Sequence, residues 1–319
     1  MDERLQLAID AVRAAAKICR KIQARLVSED SLTKKDRSPV TIADFASQAV
    51  ICKTLHGRFP EIPIMGEEDA RALRQSENQL ILDKINLFLE DWSREEILEW
   101  IDRGGSAATD YFWTVDPIDG TKGFLRGEQY AVALALLNKG QVEIGVLGCP
   151  NLPFDENSDG GTIFYARRGF GSYVIRLDGA DKEINRVSEN TSADLTRVME
   201  SVESGHANHD MQGQIMADLG DRAQSVRFDS QVKYAVLARG DAEVYLRLPN
   251  PEKPDYREKI WDHAAGVLIV EEAGGRVTDM HGKAMDFSSG RQLQNNRGVI
   301  VSNGLVHGEI LRLIEKFSS

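Results

Sequence analysis

Two aspartates three positions apart, Asp116 and Asp119, close the apolar run Phe112–Val115, and Gly120 and Thr121 follow at once in WTVDPIDGT. FWTV reads as a buried strand. Pro117 has no N–H to donate and is expected to stop the ladder at Asp116. Both carboxylates then project from a strand end, and the Ile118 carbonyl between them is released from pairing. The N–H groups of Gly120 and Thr121 become available to an anion, as at a helix N-terminus. Hard oxygens clustered this tightly suit Mg²⁺, which takes carboxylates together with water and substrate phosphate. An acidic turn accounts for the same residues by turn chemistry alone.

Other groups bear on the choice. Glu67, Glu68 and Asp69 follow PIMG and alone read as a solvated charge run. Asp44 lies in TIADF, on a predicted helix. Asp262 in KIWDHAAG precedes a predicted helix that ends at Gly274 and Gly275, where N-capping is the simple explanation. Each is weak singly; together, beside DPIDGT, they favour a shared site. A decoy is excluded: Asp155, Asn157, Asp159 and Gly160 copy the opening of a calcium loop. Ala166 stands where the closing glutamate belongs, so the stretch reads as a polar hairpin turn. The second half carries a polar set of its own. Gly205 and His206 lie in ESGHANHD at a strand end. Ser230 and Lys233 are expected on one face of a helical turn, and Arg247 ends AEVYLRLP. These matter if they face the carboxylates.

The elements that must position these residues follow from periodicity. Apolar residues at three- to four-residue spacing predict a helix over 3–26. The polar stretch SEDSLTKKDRSP reads as a loop, and a second helix follows with Thr41 as its N-cap. PEIPIMGEED is a short strand entering an acidic turn, and 76–105 holds two helical patterns. The runs YFWTV, YAVALALLN, QVEIGVLGCP, GTIFYARRG and GSYVIRL predict antiparallel strands. Beyond residue 188, LTRVMESV, SVRFDS and AEVYLRL alternate with helical MQGQIMADLG, QVKYAVLARG and DHAAGVLIVEEAGG. That is an α/β rhythm with parallel character. The expected organisation is an α+β half over 1–188 and an α/β half over 189–319.

The 319 residues are 42% hydrophobic and 28% charged, which is globular composition. A net charge of −11 argues against a broad nucleic-acid binder. The scattered Cys19, Cys52 and Cys149 form neither a disulfide framework nor a zinc site. No apolar run is long enough for a bilayer, so a cytoplasmic protein without membrane attachment is expected.

The longer stretches VDPIDGTKGFLRGEQYAVALALL, SVESGHANH, DSQVKYAVLARGDAEVYLRLP and KIWDHAAGVLIVEEAGG resemble one known group. This is the lithium-sensitive, magnesium-dependent phosphomonoesterase superfamily of inositol monophosphatase and fructose-1,6-bisphosphatase. Lys122 to Gly127, KGFLRG, is similar to its 3'(2'),5'-bisphosphate nucleotidase branch. The resemblance implies a sugar-phosphatase fold, a layered αβαβα sandwich. It implies two to three Mg²⁺ ions held by Glu67, Asp116, the Ile118 carbonyl, Asp119 and Asp262, with inhibition by Li⁺. Asp44 and Thr121 would orient and deprotonate the attacking water. Gly120 and Thr121 would bind the scissile phosphate, and Gly205, His206, Ser230, Lys233 and Arg247 the rest of the nucleotide, beside Asp262. The implied reaction removes the 3'-phosphate of adenosine 3',5'-bisphosphate or of its sulfated form. Two alternatives stay open: action on inositol 1,4-bisphosphate, and an inactive nucleotide-binding protein. The partner implied is a small nucleotide bisphosphate, with no obligate protein partner.

Overall fold

The structure, a computed structural model, describes residues 2–27, 38–158, 160–179, 182–201 and 209–318. Two long helices open it. Helix α1 spans Glu3–Leu26, and the Asp2 side chain caps it by accepting from the Arg4 N–H at 2.9 Å. Helix α2 spans Ser38–Arg58, so Thr41 lies within its first turn and is not its cap. Val40, Ile42 and Ala43 are buried there, so the packed part of the helix begins ahead of Thr41.

A seven-stranded sheet follows. Its strands are β1 Ile64–Gly66, β2 Tyr111–Asp119, β3 Ala131–Asn138, β4 Gln141–Cys149, β5 Thr162–Arg167, β6 Ser172–Arg176 and β7 Lys182–Ile184, in that spatial order. Strand β1 pairs parallel with β2, and the remaining pairs are antiparallel, as short connections require. Helices α3 (Gln79–Phe88) and α4 (Arg94–Asp102) lie between β1 and β2 in sequence. Helix α4 opens with a capping box of Ser93 and Glu96. The six-residue α5 (Thr121–Arg126) follows β2 directly.

The second sheet has the order β11-β12-β10-β8-β9, formed by β8 Arg197–Glu200, β9 Gln224–Arg227, β10 Val244–Arg247, β11 Arg276–Thr278 and β12 Val299–Ser302. Its β9, β8 and β10 run parallel, as the alternating rhythm predicts, while β12 and β11 join antiparallel. Four helices accompany it: α6 His209–Leu219, α7 Val232–Ala238, α8 Ala264–Glu272 and α9 His307–Phe317. Strands β7, β11 and β12 and helix α9 lie outside the runs singled out above.

The layers are αβαβα. Alternation along β3 explains them: Val132, Leu134 and Leu136 join the core under α1 and α2, while Ala131, Ala133, Ala135 and Leu137 join the core shared with α7 and α8. Small residues on that second face let α8 approach closely. A Cβ at Gly145 would lie 2.7 Å from the Ala265 carbonyl oxygen. A third core sits between the second sheet and α6 and α9, around Val198, Leu246, Ile300 and Leu313. Among the described residues no helix is long and apolar enough to cross a membrane. Cys19, Cys52 and Cys149 are all free and buried.

Candidate functional site

Strand β2 does not end at Pro117. Asp116 pairs with Ala133 and Asp119 pairs with Ala131, so three steps on β2 match two on β3. The extra residue is a bulge. Pro117 breaks regular pairing as expected, but the ladder resumes beyond it. Partners two apart share a face of a sheet, so the bulge brings Asp116 and Asp119 to the same side. The Pro117 carbonyl accepts from the Ser47 hydroxyl at 3.0 Å, which ties the bulge to α2.

At Gly120 the chain turns with φ +94° and enters α5. A Cβ there would stand 2.8 Å from that of Ser230, so glycine is needed both for the dihedral and for the close approach. Ser230 itself has φ +65° and precedes α7 rather than sharing a helical face with Lys233. The Lys233 N–H donates to the Ser230 carbonyl at 3.3 Å. The Gln231 N–H donates to Asp119 Oδ2 at 2.7 Å, so one metal-ligand candidate is held by the start of α7.

Glu67, Asp116, Ile118, Asp119, Gly120, Thr121, Ser230, Lys233, Arg247 and Asp262 all line one cavity of about 380 Å³. Asp44 does not line it, but its carboxyl feels Glu67 and Glu68 and in turn acts on Asp116. Gly205 and His206 lie outside the described residues, as do Asp159 and most of the polar stretch after α1. Asp155 accepts from the Asn157 N–H at 2.9 Å, as a polar turn requires. Asp262 ends a short 3₁₀ turn, and the cap of α8 is His263, without a side-chain bond to the helix. N-capping therefore does not explain Asp262.

The acids perturb one another. Burial, then Glu67, Asp119 and Asp262, push the Asp116 carboxyl well above the usual range. Asp262 is raised by burial and then by Asp119, with Arg247 acting against the rise. Glu67 keeps an exposed edge, yet partial desolvation, then Glu68 and Asp119, push it up to about 7. Burial, then Glu68 and Glu67, raise Asp44 well above the ordinary value. The cationic wall differs in character. Burial pulls the Lys233 ammonium down to about 8, and its Nζ donates to the Phe228 carbonyl at 3.1 Å.

These residues fit a hard divalent cation. Asp116 is 2% exposed, and its Oδ1 is buried with no hydrogen-bond partner. An unpaired oxygen amid mutually repelling carboxylates is costly without a cation. Among the described residues, the group with three ligand atoms within 4.8 Å of one another is Glu258, Asp262 and His263. Two of these are already engaged. Glu258 binds Arg247 through Oε1 at 3.0 Å and Oε2 at 2.9 Å. His263 Nδ1 lies 2.7 Å from the Tyr234 hydroxyl. The hard-oxygen set around Asp116 is the better cation site.

Sequence reasoning missed Glu258, Tyr234, Tyr245, His263 and Gln48. Gln48 is fully buried one turn after Asp44. Its Nε2 donates to the carbonyls of Glu68 (2.7 Å) and Ile101 (3.0 Å), and its Oε1 accepts from the Glu68 N–H (3.0 Å). It thereby fixes the loop that carries Glu67. The only sequence signal is its spacing of four from Asp44.

The model of the inositol monophosphatase family matches residues 1–319. The chain belongs to this family. Within it, the chain is 43% identical to a 3'(2'),5'-bisphosphate nucleotidase of Schizosaccharomyces pombe, over 94% of this chain and 92% of the relative. It is 42% identical to one of Dictyostelium discoideum, over 97% and 96%. Among solved structures, an inositol monophosphatase (IMPase) of Thermotoga maritima superposes with a TM-score of 0.67 at 23% identity, covering 100% of this chain and 98% of that one. That last likeness concerns the fold.

Proposed function

We propose that the chain is a phosphoric monoester hydrolase that removes the 3'-phosphate of adenosine 3',5'-bisphosphate, giving AMP and phosphate. It also acts on the sulfated nucleotide. The observation that carries this reading is the convergence of carboxylates from both halves in one cavity that Lys233 and Arg247 also line. The names of the relatives at 42–43% identity support the substrate class. The boundary between the halves is placed near residue 188, and the setting is cytoplasmic.

The family is magnesium-dependent in general. Glu67, Asp116 and the Ile118 carbonyl would hold one Mg²⁺, and Asp116, Asp119 and Asp262 a second, with Glu67 the main ligand of any third. Bound Mg²⁺ supplies charge neutralisation for the phosphate dianion and the leaving oxygen and acidifies water. Thr121 orients the attacking water and Asp44, through it, accepts the proton. The backbone N–H groups of Gly120 and Thr121 hold phosphate oxygens. Ser230, Lys233 and Arg247 hold the ribose side of the nucleotide, and Gly205 and His206 are assigned to the same role from the sequence. Lithium inhibits by taking a cation position.

The test is phosphate release from adenosine 3',5'-bisphosphate, inositol 1,4-bisphosphate and fructose 1,6-bisphosphate, each with Mg²⁺, with EDTA, and with Mg²⁺ plus Li⁺. Release from the nucleotide alone, abolished by EDTA and reduced by Li⁺, is expected. Preference for the inositol substrate would keep the cation site and overturn the assignment of the second half. Nucleotide binding without release would make the protein an inactive binder.

A further inference from the structure

Glu67 and Asp262 reach the cavity from opposite halves. Glu67 follows the three-residue β1, and Asp262 ends the three-residue turn Ile260–Asp262. Elements so short do not hold two ligands at a set separation, so the contacts of their neighbours must do it.

One residue makes contacts on both sides. Arg291 lies in the connection between β11 and β12. Its backbone belongs to the Asp262 side. The Ile260 N–H donates to the Arg291 carbonyl at 3.2 Å, the Leu293 N–H donates to the Glu258 carbonyl at 2.9 Å, and Lys259 and Gln292 form an antiparallel bridge. Its guanidinium lies 4.5 Å from the centre of the Trp261 ring, on the residue next to Asp262. From there Nη2 crosses to the first half and donates to the Gly66 carbonyl at 3.0 Å. That carbonyl belongs to the peptide unit whose N–H is that of Glu67, and this N–H donates to the Val115 carbonyl at 3.2 Å. The peptide leading into Glu67 is thus gripped at both polar ends, by β2 and by Arg291.

The platform under the guanidinium is itself fixed. Trp261 is 4% exposed, and its carbonyl accepts from the Gln231 side chain at 2.9 Å, while the Gln231 N–H holds Asp119. A continuous path therefore runs from Asp119 through Gln231, Trp261 and Arg291 to the peptide of Glu67, with Asp262 beside it. Arginine suits this place because a flat guanidinium stacks through its face and donates through its edge at once. Attraction to the bound ion is not the reason, since a positive group near a divalent cation repels it.

We propose that Arg291 is a positioning residue that clasps the two halves beside the Mg²⁺ site and sets the separation of Glu67 and Asp262. It stands outside the cavity lining and acts through Gly66 and Trp261. The proposal rests on the cation site of the nucleotidase reading.

The experiment uses the full chain without substrate, and Mg²⁺ alone is the probe. Arg291 is exposed, so replacing its side chain opens no cavity in the core. Arg291→Gln, Arg291→Lys and Arg71→Gln are titrated with Mg²⁺ by calorimetry. Arg71 is the control, because its charge lies on the segment after Glu67 and its guanidinium is bound to Asp69 instead. Loss of a charge-assisted hydrogen bond in a partly exposed place corresponds to about fivefold in an equilibrium constant. Arg291→Gln should therefore weaken Mg²⁺ binding about fivefold, and Arg291→Lys, which keeps a donor, by less. Removal of positive charge without loss of position has the opposite sign and tightens binding. Arg71→Gln should show that sign or no change. In turnover of adenosine 3',5'-bisphosphate by Arg291→Gln, the Mg²⁺ concentration for half-maximal rate should rise by the same factor, with kcat at saturating Mg²⁺ within about twofold. Binding unchanged or tighter in Arg291→Gln, or weakened equally in Arg71→Gln, overturns the clasp and leaves the nucleotidase reading intact. A wild-type protein that binds Mg²⁺ but releases no phosphate from any nucleotide overturns that reading and leaves the clasp in place.

Discussion

Lys233→Met is expected to make the protein more stable while impairing it. Lys233 is 2% exposed, and burial brings its ammonium from an ordinary 10.5 to about 8. At about 1.4 kcal/mol per pKa unit, the charge costs roughly 3 kcal/mol where it sits. Methionine has similar length and no charge, but it forfeits the bond from the ammonium to the Phe228 carbonyl, worth about 2 kcal/mol for a charged donor. The net gain at pH 7 is about 1 kcal/mol, or about 1.5 °C in Tm for a chain of this length. The sign with pH follows. The folded pKa lies below the unfolded one, so below pH 8 both states are charged and the penalty is complete. Between about pH 8 and 10.5 the folded protein releases its proton first, and the penalty disappears. Thermal melts of wild type and variant in EDTA, at pH 7 and pH 10, are the assay, with nucleotide turnover measured in parallel. A variant no more stable than wild type at pH 7, or a gap that persists at pH 10, refutes the reasoning.

Two further outcomes concern the acids. The carboxyls of Glu67, Asp116 and Asp262 are raised in the folded protein, so in the metal-free protein the destabilisation they contribute is absent below the ordinary carboxylate range and sets in as pH climbs through about 7. Saturating Mg²⁺ should therefore raise Tm more at pH 8 than at pH 5.5, and Asp116→Asn should raise the metal-free Tm at pH 8 while erasing most of the Mg²⁺ response; an equal Mg²⁺ response at both pH values would count against this. Gln48→Leu should cost about 2–3 kcal/mol in chemical denaturation, because it strands the buried polar groups of Glu68 and Ile101. It should also raise the Mg²⁺ concentration needed for half-maximal activity, and an unchanged requirement would show that the Glu67 loop holds its place without it.

Helix α1 and strands β2 to β6 were legible because each carries buried apolar residues between turn signals, whereas β7 is exposed along its length and left no such trace. The residues of DPIDGT were legible as chemistry but not as geometry. Proline marked the break in pairing, whereas the resumption at Asp119 depends on the partner strand, which local sequence does not describe. Asp262 resembled a cap because capping residues and metal ligands are drawn from the same side chains; only its surroundings separate the two. The Glu258–Arg247 pair was invisible for a similar reason, since its members lie eleven positions apart across an irregular loop. Arg247 consequently looked like an available cation when its charge is already matched.

The extra residue between Asp116 and Asp119 has a consequence for how this chain can vary. A substitution changes a side chain and leaves the count of residues alone. Deleting Pro117 or Ile118 would leave two steps on β2 against two on β3 and restore a regular ladder. Asp119 would stay opposite Ala131, but the bend of the bulge would be lost. With it would go the backbone carbonyl set that the bulge presents, and α5 would start from a different orientation. The same deletion in the exposed turn around Asp155–Asn157 would shorten a loop and disturb little else. A segment of four residues thus resists a change in length, and its resistance comes from the path of the backbone rather than from the chemistry of any one side chain.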